Sequence, residues 1–150
     1  MTGNAVTTKA PREGIIRYIV FEDAHFISLD IVKTIRRLRP GFRLARVVDD
    51  SHALDEALKS GGIDLVVADL DLDCHGLIEV LERRATDTPA ILISAYHELS
   101  AYASHSDNMK FILKPFAPES LDFALSGLSK RKRGKEALQV MDKSTNIIKR

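Results

Sequence analysis

The run Leu65-Val66-Val67-Ala68 sets the strongest limit on how this chain folds. It holds four consecutive apolar residues, two of them β-branched, follows Gly61-Gly62 and ends on a carboxylate, Asp69. A strand that is apolar at every position, rather than at alternate ones, is covered on both faces, as in a parallel sheet with helices above and below. In open α/β sheets, ligands bind beyond the carboxyl ends of such strands. Asp69 therefore reads as a residue placed for chemistry, and the acidic stretch after it, Leu70-Asp71-Leu72-Asp73, adds to that reading.

The rest of the chain supplies the partners such a strand needs. Ile15 to Phe21 reads as a first strand, marked at its end by Glu22-Asp23. From Phe26 to Leu38, Ile27, Ile31, Val32, Ile35 and Leu38 fall at helical spacing, and Pro40-Gly41 stops the helix. Phe42 to Val48 alternates as a strand, and Ser51 is expected to cap a short helix that stops at Gly61-Gly62. Leu77 to Arg84 is expected to be helical, followed by a strand at Ala90-Ile93 that ends on Ser94, and by a weak polar helix from His97 to Ser104. Phe111-Ile112-Leu113 is a fifth strand closed by Lys114-Pro115. Pro118 at the first helical position and Glu119 in the first turn open a final helix lined by Leu121, Leu125 and Leu128. Strands alternating with helices imply one parallel five-stranded sheet, an α/β architecture with helices on both faces.

Charge and composition narrow the possible functions. The 150 residues suffice for one domain with a real core. No apolar run approaches the roughly 20 residues that span a bilayer. Residues 1–13 have no apolar stretch and are expected to be a disordered leader rather than a secretory signal. A single cysteine, Cys74, excludes an intrachain disulfide and fits a reducing cytoplasm, the expected location. The absence of tryptophan argues against a stacking platform for single-stranded nucleic acid. The net charge of +1 conceals an asymmetry: residues 130–150 carry eight basic and two acidic side chains, the other 129 residues fourteen and nineteen. Residues 14–129 are therefore read as an acidic domain, and 130–150 as a basic tail or linker.

Four strand ends now present polar groups: Glu22-Asp23, Asp69, Ser94 and Lys114. In a parallel sheet these ends share one edge. Clustered carboxylates repel unless a cation neutralises them, and Mg²⁺, which takes carboxylate oxygens while keeping waters and phosphate oxygens, suits that role. Lys114 supplies a point charge and Ser94 a hydroxyl donor for phosphoryl oxygens. The set describes phosphoryl transfer to a carboxylate, where catalysis is mostly positioning and charge neutralisation. The histidines at 25, 52, 97 and 105 are expected at the surface, and Asp73-Cys74-His75 lacks the spacing of a zinc site.

On these residues, over about 15–129, the chain resembles the receiver domain of two-component response regulators. The matching segments are Val20-Phe21-Glu22-Asp23, Asp64 to Leu70, Ile91-Leu92-Ile93-Ser94-Ala95 and Phe111-Ile112-Leu113-Lys114-Pro115-Phe116. Ser94-Ala95-Tyr96-His97-Glu98 and Leu113-Lys114-Pro115-Phe116 look most like receivers of the LytR/AlgR type. The resemblance implies a flavodoxin-like, doubly wound (βα)5 fold with strand order 2-1-3-4-5. It implies that Asp69 is the phosphoacceptor, served by a histidine kinase or histidine phosphotransfer protein. Mg²⁺ would be held by Glu22, Asp23, Asp69 and the backbone carbonyl of Asp71. Lys114 would pair with the phosphoryl group, and Ser94 and Phe111 would be the switch residues. Their movement would change the face made by the fourth helix, fifth strand and fifth helix, a possible homodimer surface. Such a chain is a switch rather than an enzyme with turnover. DNA binding is not expected from it, because no helix-turn-helix is present.

The loop after Asp69 departs from the family pattern: Asp73 stands where proline is common, and Gly76 follows Asp69 by seven residues instead of eight. This supports a second reading, a pseudo-receiver that keeps the fold as an interaction module without phosphorylation. Asp69-Leu70-Asp71 also resembles the first motif of haloacid-dehalogenase-like phosphatases, with Asp69 as nucleophile and Asp71 as acid/base. That motif normally follows the first strand, however, and would leave Glu22-Asp23 without a role.

Overall fold

The computed structural model describes residues 15–22, 25–70, 75–84 and 87–133. Among these residues, five strands alternate with helices. In order they are β1 (Arg17–Phe21), α1 (His25–Leu38), β2 (Arg43–Val48), α2 (Ser51–Lys59), β3 (Leu65–Leu70), α3 (His75–Arg84) and β4 (Ala90–Ser94). A 3₁₀ turn, His97–Leu99, then leads into α4 (Ser100–Ser104), β5 (Met109–Leu113) and α5 (Pro118–Arg133). All strand pairs are parallel, in the order β2-β1-β3-β4-β5. This is the expected doubly wound α/β sheet. β3 lies at its centre, and all six of its residues, Asp69 included, are buried.

Two cores follow from the alternation of side chains along the central strands. On one face Tyr18, Val20, Leu65, Val67, Ile91 and Ile93 pack with Ile31 and Ile35 of α1 and Leu121 and Leu125 of α5. On the other, Ile19, Val66, Ala68, Leu70 and Leu92 pack with Leu54 and Leu58 of α2, Leu77 and Leu81 of α3 and Ala103 of α4. The continuous apolar runs of β3 and β4 are needed because both of their faces are covered.

The helices are fastened at specific points. At the end of α1, Arg39 reaches α5: one guanidinium nitrogen lies 2.6 Å from Asp122 Oδ1, and the other donates to Ser126 Oγ at 2.7 Å. Asp55 of α2 joins α3 through Arg84 at 2.9 Å and Arg83 at 3.3 Å. The hydrogen bond from Arg84, reinforced by Arg83, holds the Asp55 carboxyl below the usual carboxylate range. Burial pushes the Tyr18 phenol up, opposed by the nearby charge of Arg36, and the Tyr18 ring lies against Phe42 at 6.4 Å between centroids.

Several local expectations change. The cap of α2 is Asp50, not Ser51: the Asp50 side chain accepts the Ala53 N–H at 2.8 Å, and Ser51 is the first helical residue. A carboxylate one residue earlier has the extended backbone a cap requires, with φ −144° and ψ 157°. α2 stops at Lys59, and the chain leaves through Gly61 and Gly62 at φ 83° and 84°, where a side chain would be strained. β3 continues past Asp69 to Leu70. The segment His97 to Ser104 is not one helix but a 3₁₀ turn followed by five α-helical residues. α5 runs from Pro118 to Arg133.

Candidate functional site

The topology brings four of the expected polar residues to the carboxyl edge of the sheet. Glu22 follows β1, where its N–H donates to Val48 O of β2 at 3.0 Å, and it is buried. Phe21 pairs with Ala68, so Glu22 leaves β1 at the level of Asp69 in β3. Asp69 is paired with Ile93 of β4, and its side chain is 5% exposed. Lys114 follows β5 and is anchored by its own N–H, which donates to Ser94 O at 2.8 Å. From there its ammonium donates to Asp69 Oδ1 at 2.7 Å. The Lys114–Pro115 peptide is cis.

The alternation divides these groups between the two faces. Asp69 has the parity of Leu65 and Val67, which face α1 and α5. Ser94 has the parity of Ala90 and Leu92, which face the α2–α4 side, and Phe111 is packed against that same core. Ser94 is fully buried, and its hydroxyl accepts the Tyr96 N–H at 3.0 Å. The two expected switch residues thus lie together on one face, opposite the one toward which Asp69 points.

The arrangement suits a hard cation. Asp69 Oδ2 is buried and has no hydrogen-bond partner among the described residues, which is costly for a carboxylate oxygen unless a positive group meets it. Glu22 adds a second buried carboxylate on the neighbouring strand. Hard oxygen donors of this kind fit Mg²⁺, which is commonly bound by one or two carboxylates with waters completing the octahedron. Among the described residues no group of three or more potential ligands is assembled. Asp23 and Asp71, the other expected ligands, lie outside the described residues, as do Asp73 and Cys74. His52, His97 and His105 are exposed, as expected, and the side chain of His25 is outside the description. Among the described residues no helix is long and apolar enough to cross a membrane.

Sequence reasoning missed the Ser94–Tyr96 hydrogen bond, for which a Ser two residues before an available N–H was the only signal. It also missed the groove of about 630 Å³ between β5 and α5, lined by residues including Phe111, Phe116 and Phe123. Phe123 is 79% exposed there. It stands on the outer side of a helix whose inward side is Leu121, Ala124 and Leu125, so helical spacing alone marked it as outward-facing.

No protein-family profile and no curated protein sequence matches the chain. Solved structures do. The response regulatory domain of mrkE from Klebsiella pneumoniae is 19% identical, with a TM-score of 0.67 over 77% of this chain and 96% of that one. A response regulator receiver protein from Sinorhizobium medicae is 25% identical, with a TM-score of 0.62 over 77% and 95%. The isolated receiver domain of RcsB from Salmonella enterica, solved with the phosphomimetic BeF₃⁻, is 20% identical, with a TM-score of 0.65 over 77% and 88%. The structural neighbours are response regulator receiver domains, and the chain has their CheY-like fold.

Proposed function

We propose that this chain is a phosphorylation-controlled receiver switch of a two-component system, with Asp69 as the acceptor. The observation that carries the proposal is the 2.7 Å ion pair between Lys114 and a buried Asp69, with the buried carboxylate of Glu22 level with it on the next strand. A carboxylate oxygen of Asp69 attacks the phosphorus of a phosphohistidine on a kinase or phosphotransfer protein. The P–O bond forms as the P–N bond breaks, and the departing imidazole takes up a proton. Lys114 then turns from the carboxylate toward the phosphoryl oxygens, keeping a charge-assisted bond. Bound Mg²⁺ would be held by Glu22 and Asp69, with Asp23 and the Asp71 carbonyl as the proposed further ligands, and would neutralise charge on the phosphoryl group.

Ser94 reports the event. Moving toward a phosphoryl oxygen, to which it would donate, draws its hydroxyl away from the Tyr96 N–H it accepts and frees the turn before α4. Phe111, on the same face, follows. The readout surface is the side formed by α4, β5 and α5, where Leu113 is 49% and Phe123 79% exposed. A second copy or another partner covers it, and the population shift is limited by the differential contacts made in the two states. The LytR/AlgR-type assignment rests on the Ser94–Glu98 and Leu113–Phe116 segments, and the cytoplasm is the proposed location. The protein turns over no free substrate. A phosphatase role for Asp71 is not favoured, since Glu22 would then have no role.

Amide spectra with Mg²⁺ and BeF₃⁻ test this proposal. Shifts at Ser94, Tyr96 and Phe111 are expected. A spectrum unchanged at all three overturns the switch, and the chain is then a non-phosphorylated interaction module.

A further inference from the structure

The two most exposed large apolar side chains among the described residues share one groove. Phe123 on α5 is 79% exposed and Leu113 at the end of β5 is 49% exposed. Both line the groove of about 630 Å³ between β5 and α5, together with the half-buried rings of Phe111 and Phe116. Single apolar residues at a surface are ordinary, but several joined along a groove mark a contact surface. No residue of α4 lines it.

The charges beside this groove are arranged about Phe123. Glu119 and Gly127 stand four residues before and after it on α5, so the three share one side of the helix, at steps of about 6 Å along its axis. Glu119 is exposed and lines the groove at one end. At the Gly127 end a cation is supplied by β5: a Cβ placed on Gly127 would lie 3.4 Å from Lys110 Cε and 3.7 Å from its Nζ. Glycine is unfavourable inside a helix, and at 127 it makes room for the lysine stem. Asp122 is tied to Arg39 and Lys114 to Asp69, but neither Lys110 nor Glu119 makes an ion pair among the described residues. One exposed ring therefore has a spare anion about one turn to one side and a spare cation about one turn to the other.

Such a pattern is complementary to itself. A two-fold axis at Phe123 sets two α5 helices antiparallel, ring against ring, and brings each Lys110 opposite the partner's Glu119. A ligand of single charge would satisfy one end of the groove and be repelled at the other. We infer that a second copy of this chain occupies the groove, with the two α5 helices crossing antiparallel at Phe123 and held in register by two Lys110–Glu119 pairs. The opposed rings supply the apolar contact, and the charges fix orientation more than they add affinity. The second copy is then the partner of the readout surface and rests on the switch reading for its regulation through Phe111, while the contact itself requires no event at Asp69.

Sedimentation velocity of the full chain at low ionic strength, over a range of concentrations and with and without Mg²⁺ and BeF₃⁻, tests this. Wild type is expected to form a reversible dimer, tighter with BeF₃⁻. Phe123→Ser is expected to weaken it by about tenfold or more. Lys110→Glu and Glu119→Lys each set like charges across the axis and should weaken it comparably, the loss shrinking as salt is added. An equimolar mixture of those two variants has opposite charges at both contacts and should recover dimer close to the wild-type level. Far-UV circular dichroism confirms that each variant folds, and Phe123, on the outer side of its helix, can be changed without loss of core contacts. Three results overturn the inference: a wild type that is monomeric under both conditions, a Phe123→Ser variant that associates as wild type does, or a mixture no more associated than its two components. A dimer equally strong with and without BeF₃⁻ supports the contact and counts against the switch alone.

Discussion

Lys114, one residue past β5, donates its ammonium proton to the Asp69 carboxylate of β3 at 2.7 Å, although the two are 45 positions apart. Neither residue could be satisfied alone. Asp69 is buried in the central strand, and Lys114 is held in place by its own backbone bond to Ser94.

Removing the lysine is therefore expected to destabilise the fold. Lys114→Ala leaves the Asp69 carboxylate buried and unpaired, at a cost of about 1–3 kcal/mol in urea unfolding. Asp69→Asn in the same background should recover part of that loss, because the charge it strands is then gone. If the double variant is as unstable as the sum of the two singles, the ion pair is not coupled.

Mg²⁺ is expected to raise stability. A ligand that binds only the folded state at about 100 times its Kd adds about 2.7 kcal/mol. Wild type should gain progressively in Tm as Mg²⁺ is titrated, and Glu22→Gln and Asp69→Asn should each gain less. Equal gains in all three would place the cation elsewhere.

Asp55 predicts an acid-sensitive increment. Its folded pKa is lowered from 3.8 by Arg84 and Arg83, so the link between α2 and α3 contributes fully above the unfolded value and is lost as pH falls through the lower folded value. The urea midpoint of wild type should exceed that of Asp55→Asn at pH 7, and the difference should shrink as pH falls below the ordinary value of 3.8 and through the lower folded value. A difference independent of pH would contradict the assignment.

The cap of α2 gives a discriminating pair. Asp50→Ala should cost about 1 kcal/mol, since it strands the Ala53 N–H, while Ser51→Ala should change little. The reverse order in urea midpoints would move the cap to Ser51.

The sheet was readable because β3 and β4 are apolar at every residue but Asp69 and Ser94 and buried throughout, a pattern that two-sided burial explains. Asp69, Ser94 and Lys114 stood out because each ends such a run, and the parallel order made their meeting a matter of geometry. Other features left no local mark. Asp50 and Ser51 are both competent caps, and only backbone geometry separates them. The Arg39 clamp joins residues more than 80 positions apart, and nothing in either segment names the other. The division of Asp69 from Ser94 and Phe111 across the sheet depends on where each strand starts, which periodicity places only to within a residue or two.

The central claim is that Asp69 accepts a phosphoryl group, and the intact mass of the full chain after incubation with acetyl phosphate and Mg²⁺ measures this directly. Wild type is predicted to gain the mass of one phosphoryl group, the gain disappearing with EDTA and in a folded Asp69→Asn variant. A wild-type mass that stays unchanged, or an Asp69→Asn protein that gains the group equally, would contradict the account.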